Sequence, residues 1–158
     1  MPILKPKKHK FEIKIGGKTH TLELAPGEYH LGRIENAPTK LGLKDASGNV
    51  IHEFGDKTAN YWISRKHVKI KIGKSGEIEV THIGKNDTWL RTGGEVGSRN
   101  AMKIDKLEKN KPVNIGNLSD FDIIVGTQSE SVEELFKGLD MGLLKRVSIK
   151  RVKKKLGI

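Results

Sequence analysis

Apolar residues that alternate with polar ones, broken by closely spaced glycines, constrain this chain more than any other feature. Phe11, Ile13 and Ile15 alternate with Glu12 and Lys14, Gly16-Gly17 follows, and then Leu22 and Leu24 alternate with Thr21 and Glu23. Period two on both sides of a Gly-Gly pair marks a β-hairpin, because the tight primed turns need positive φ. A second hairpin is written in Val68, Ile70 and Ile72, a Gly73-Lys74-Ser75-Gly76 turn, and Ile78 and Val80. Matching its apolar faces sets Lys71 opposite Glu79 on the solvent side. Further short strands are expected near 28–33, 50–54, 88–91, 112–116 and 121–126.

Many short strands with glycine-rich turns predict an all-β chain, a two-sheet antiparallel β-sandwich in which each strand buries one face against the opposite sheet. One short helix is expected before the last strand, over residues 131–139. Ser131 would be its N-cap, Glu133 and Glu134 fill its first turn, and Val132, Leu135, Phe136 and Leu139 form one face. Leu143, Val147 and Ile149 fit a last strand, although the same residues leave a helix open there. Residues 35–62 and 92–110 read as long loops, the usual carriers of recognition on a rigid scaffold. The organisation is then a basic arm at 1–9, a domain over 10–152 and a basic tail at 153–158.

Composition narrows the function. The 158 residues suit one domain. No apolar run approaches the roughly 20 residues of a membrane helix. The absence of cysteine removes disulfides, thiolate metal sites and cysteine nucleophiles. The basic start runs into an alternating strand pattern rather than an apolar signal core, so a cytoplasmic location is expected. The formal charge is +11, yet residues 1–10 hold four lysines and residues 141–158 hold seven Lys or Arg, with no acid in either. With those set aside, bases and acids balance, so the charge describes two ends on a neutral body.

Gly17-Lys18-Thr19 and Gly73-Lys74-Ser75 each look like the end of a phosphate-binding P-loop. That loop needs another glycine five positions earlier, where Glu12 and Val68 stand, and a helix afterwards rather than a strand. The six histidines show no pair at metal-ligand spacing, so neither a metal nor any other cofactor is expected. No nucleophile elbow occurs, and no enzyme is expected.

Three polar segments remain, each at a strand end: Leu31-Gly32-Arg33, Ile63-Ser64-Arg65-Lys66-His67 and Lys85-Asn86-Asp87-Thr88-Trp89-Leu90. Followed by Phe121-Asp122-Ile123-Ile124-Val125-Gly126, this ordered set resembles the forkhead-associated (FHA) domain, a phosphothreonine-binding sandwich of FHA/SMAD-like architecture. The resemblance covers roughly residues 10–126. It implies a phosphopeptide-binding module that acts as a signalling adaptor downstream of a Ser/Thr kinase, with phosphothreonine-containing proteins as partners and no membrane contact.

The resemblance also implies roles. Arg33 would give its planar fork to the phosphate, which carries a charge of about −1.5 to −2. Ser64 would donate its hydroxyl, Arg65 and Lys85 would add cations, and Asn86 would pair with the peptide main chain. Gly32 would permit tight backbone before Arg33. His67 would brace the Ser64 loop, Thr88 would support the turn, and Trp89 would pack in the core. Two departures stand out. Asp87 replaces the usual glycine, which aspartate's tolerance of positive φ allows, but it brings a carboxylate near the site, offset by Lys85. Thirty positions separate Arg33 from Ser64, more than the family usually needs.

Two other readings compete. Residues 145–155 concentrate seven cations, a run suited to nucleic acid or another polyanion, although neither end carries an aromatic residue for base stacking. A forkhead-associated fold that binds proteins without regard to phosphate is the other.

Overall fold

Gly16 and Gly17 take φ of 56° and 82° and turn β1 (His9–Ile15) back along β2 (Lys18–Leu24) in the register the alternation requires, with Phe11 opposite Leu22. The computed structural model describes residues 7–93 and 103–152. Twelve strands form two antiparallel six-stranded sheets. The first sheet runs β2, β1, β12 (Leu144–Arg151), β11 (Asp120–Gly126), β8 (Thr88–Thr92), β9 (Lys103–Lys106). The second runs β10 (Val113–Gly116), β7 (Ile78–His82), β6 (Val68–Ile72), β3 (Gly27–Ile34), β4 (Ala37–Asp45), β5 (Val50–Glu53). The predicted hairpin at 68–80 forms, and Lys71 lies opposite Glu79.

The core is the slab between the sheets. Phe11, Phe121 and Ile123 of one sheet meet Leu31, Leu43 and Val80 of the other, all at most 2% exposed. Each such side chain contributes about 1.5–3 kcal/mol relative to exposure. A smaller cluster of Trp89, Ile124, Leu135 and Leu144 lies apart from it. There α1 (Val132–Asp140) covers the first sheet, its N-cap Ser131 accepting from the Glu134 N–H. The helix face differs from the one expected: Leu135 is buried, whereas Val132 and Phe136 are each 40% exposed.

Two corrections concern the stretches read as loops. Residues 35–62 contain β4 as well as β5, because Leu41 and Leu43 alternate with Gly42 and Lys44 and pair with β3. Residues 92–110 contain β9, paired with β8; positions 94–102 lie outside the described residues. The C-terminal run also changes meaning. The expected last strand forms as β12, and Lys145, Arg146, Lys150 and Arg151 of the cationic run belong to it, so part of the 145–155 run is built into a sheet. Arg151 stacks its guanidinium over the Phe11 ring and donates to the Gly76 carbonyl. Positions 1–6 and 153–158 of the two basic ends lie outside the described residues. No helix among those described is long and apolar enough to cross a membrane.

Because β12 is hydrogen-bonded to β1 on one side and β11 on the other, a chain ending at Leu144 is expected not to fold. Losing the buried Val147 and Ile149 and two strand ladders exceeds the roughly 5–15 kcal/mol of a domain's net stability. Amide NMR of the truncated chain should show collapsed dispersion; a dispersed, parent-like spectrum would contradict the topology.

Candidate functional site

The three polar segments meet at one end of the second sheet. Arg33 is the penultimate residue of β3, β6 starts just after His67, and β7 ends where the 83–87 turn crosses to β8 in the other sheet. Backbone bonds sew the segments together. The Arg33 N–H donates to the Ser64 carbonyl at 3.1 Å, the His67 N–H to Leu31 at 3.0 Å, and the Gly84 N–H to His67 at 3.0 Å.

Gly32 makes the first of these junctions possible. A Cβ there would lie 2.6 Å from the Ser64 carbonyl oxygen and nearer still to that of Arg65. The Ser64-Arg65 backbone therefore rests on bare β3 backbone, a close approach only glycine allows. Arg33 Nε donates to the Ile63 carbonyl at 3.1 Å, which orients the guanidinium and leaves its two terminal amino groups for a ligand. Ser64 Oγ accepts from the Lys85 N–H at 3.0 Å, so the hydroxyl is fixed while its own proton is free to be donated. Asn86 Nδ2 donates to the Trp62 carbonyl at 2.8 Å, leaving its second N–H and its oxygen. Arg65 is exposed, and its guanidinium pairs with Glu35 at 3.2 Å. The Lys85 side chain is exposed. All five anticipated ligand-facing residues thus come together, with Arg65 already engaged by a carboxylate.

His67 is wholly buried and holds this end by both ring nitrogens. Nδ1 accepts from the Ser64 N–H at 3.0 Å, and Nε2 lies 3.5 Å from the Asp87 carbonyl. Nδ1 must be unprotonated to accept, so the neutral imidazole fits and the imidazolium does not. Burial lowers the His67 pKa to about 4, with the Asp87 carbonyl opposing it. Its folded value is depressed below the unfolded value of about 6.5, so an acidifying solution protonates the unfolded chain first. Stability is complete above about pH 6.5 and falls by about 2–3 kcal/mol as the pH drops toward 4. His30, His52 and His82 shift the same way, each chiefly by burial. Denaturant unfolding from pH 7.5 to 4 should show this decline, and His67→Gln, less stable overall, should lack part of it. A flat curve for the parent would contradict the neutral, buried assignment.

Thr88 is wholly buried and shares a 2.7 Å hydrogen bond with His82 Nδ1 across the 83–87 crossing. Asp87 behaves differently from expectation. It needs no positive φ, since among the described residues only Lys57 and Asn110 show one without being glycine. Its carboxylate pairs with Lys106 at 3.6 Å. Trp89, 5% exposed, is core as expected.

Several residues at this end escaped sequence reasoning. Glu35 covers Arg65, and Lys44 reaches the site from β4. Tyr61 is 86% exposed, and Trp62 beside it is held by the Asn60 side chain as well as by Asn86. Histidines distant in sequence also meet: His52 Nε2 lies 2.9 Å from His20 Nδ1. Among the described residues no three His, Asp or Glu side chains are grouped to hold a metal ion.

No protein-family model matches the chain, and no curated protein matches it. Solved structures do. An engineered FHA domain with a Myc-pTBD peptide is 17% identical with a TM-score of 0.52, over 92% of this chain and 94% of that one. The N-terminal FHA domain of Rad53p from S. cerevisiae, in complex with a phosphothreonine peptide, is 16% identical with a TM-score of 0.52, over 90% of this chain and 94% of that one.

Proposed function

From the forkhead-associated β-sandwich fold that these likenesses establish, we propose that the chain is a phosphothreonine-dependent protein-binding module, without catalysis of its own, that serves as an adaptor downstream of a Ser/Thr kinase. The observation that carries this reading is the pair at the strand ends: an oriented guanidinium on Arg33 and, one backbone hydrogen bond away, a serine hydroxyl fixed as acceptor with its proton to give. A phosphate dianion accepts from both without displacing a core contact. Arginine's fork matches two phosphate oxygens at once. Lys85 adds a mobile cation, and Arg65 exchanges Glu35 for the more highly charged phosphate. The free amide groups of Asn86 pair with the peptide main chain. Gly32, His67 and Thr88 do not touch the ligand but hold the groups that do.

Three matched degenerate peptide libraries test this, carrying phosphothreonine, phosphoserine or unmodified threonine, at low and high salt. Selective retention of the phosphothreonine set that largely survives salt is expected. Equal binding of every anionic library, lost in salt, would instead assign the binding to the lysine-rich ends and sink the proposal.

A further inference from the structure

Among the described residues Lys44 is the one buried lysine, 6% exposed, and its Nζ donates to two main-chain carbonyls, Arg33 at 3.0 Å and Arg65 at 2.8 Å. These belong to the two segments that carry the guanidinium and the hydroxyl of the site. A surface lysine gains little from such bonds, but here the charge has left water and the carbonyl dipoles replace its hydration. The position is unusual in its neighbours too. Arg33, Arg65 and Lys66 all repel the ammonium, Glu35 attracts it, and His30 stands opposite on β3. Its pKa is lowered, chiefly by burial.

We propose that Lys44 is a positioning residue for phosphate recognition: by bridging the carbonyls of Arg33 and Arg65, it fixes the spacing between the Arg33 fork and the Ser64 hydroxyl and sets an ammonium behind them. This rests on the phosphothreonine reading above. The gap between β3 and the Ser64 loop has no side chain at Gly32 to prop it; the Arg33 N–H to Ser64, the Arg33 Nε to Ile63 and the His67 N–H to Leu31 close it from one side, and the Lys44 ammonium ties the Arg33 and Arg65 carbonyls across it. The cations gathered there repel one another until an anion arrives, so part of the attraction for phosphate is built into the unliganded fold. The four positive groups also explain why Glu35 sits at the rim as a displaceable stand-in for the ligand.

The test is a pool of phosphothreonine peptides with randomised flanks, beside the same pool with unmodified threonine. In the parent protein, the Lys44 side-chain NMR titration is followed with and without the pool. The phosphorylated pool should raise the Lys44 pKa by about half a unit or more, and the unmodified pool should leave it unchanged. Lys44→Met keeps an unbranched side chain of nearly the same length but removes charge and donors. It should still melt cooperatively while losing about 10- to 100-fold in affinity for the phosphorylated pool. An unshifted Lys44 pKa on binding would overturn the inference, as would a folded Lys44→Met protein that binds within about twofold of the parent. Should Lys44→Met fail to fold, the titration of the parent decides alone. Arg33→Ala separates the two ideas. Undiminished binding by that variant overturns the site reading and this inference with it; loss of binding there, with parent-like binding by Lys44→Met, overturns only the role of Lys44.

Discussion

Arg33→Ala is expected to abolish measurable phosphothreonine-peptide binding while leaving the sandwich folded. Removing one partner of a charge pair in a partly closed site costs about 2–5 kcal/mol, a loss of at least about thirtyfold. The same substitution also deletes the Nε bond to the Ile63 carbonyl at 3.1 Å. That bond is worth only about 1.5–3 kcal/mol to folding and lies at the rim of the fold, outside the core slab. Affinity and stability should therefore separate, with isothermal titration showing the loss and thermal melting showing a cooperative, modestly shifted transition. Arg33→Lys should recover only part of the affinity, because a point charge cannot offer two parallel donors or hold Ile63 in the same geometry. Parent-like affinity in Arg33→Ala would remove the guanidinium from the site.

Gly32→Ala acts on the same site through geometry alone. The new methyl would meet carbonyl oxygens of Ser64 and Arg65, and these are backbone atoms that no side-chain rotation moves aside. Either the loop lifts off β3 or the strand bends. Overpacking of this kind costs about 1–3 kcal/mol, which in a chain of this size corresponds to about 3–10 °C in melting temperature. Lifting the loop also breaks the Arg33–Ser64 backbone bond and the bridge from Lys44. Phosphopeptide affinity should therefore fall by more than about tenfold, beyond what the lost stability alone explains. A variant that melts and binds like the parent would mean that the Ser64 loop does not rest on Gly32.

The features of the fold that the sequence makes legible are those with local signatures. The two glycine-turn hairpins announce themselves because strand period and turn chemistry lie within a dozen residues of each other. The helix after Ser131 is readable from its cap and first-turn acids. Gly32, Arg33, Ser64, Lys85 and Asn86 stand out in the sequence because strand ends collect polar residues in a recognisable order, and the fold brings these five to one end of the second sheet. What was missed depended on contacts distant in sequence. Leu41 and Leu43 alternate, so β4 could have been read from the pattern, but the polar stretches around it suggested a loop. The burial of Lys44 had no local signal, since a lysine alternating with leucines reads as solvent-facing until the Arg65 backbone closes over it. Glu35 and Arg65 meet across thirty residues, as do Asn86 and Trp62 across twenty-four. The last strand is readable from Leu143, Val147 and Ile149, but its place between β1 and β11 is not, since its pairing partners lie far away in the sequence.

Phosphate recognition at this end of the sandwich is read out by amide and arginine side-chain NMR of the isotope-labelled chain, titrated with the phosphothreonine pool and then with its unmodified counterpart. Shifts are expected for the phosphorylated pool alone, concentrated at the Arg33 Nε–H and at the backbone of Ser64, Arg65, Lys85 and Asn86, and largely retained when salt is raised. Shifts confined to the lysine-rich ends, equal for any anionic peptide and lost in salt, would contradict phosphate recognition there.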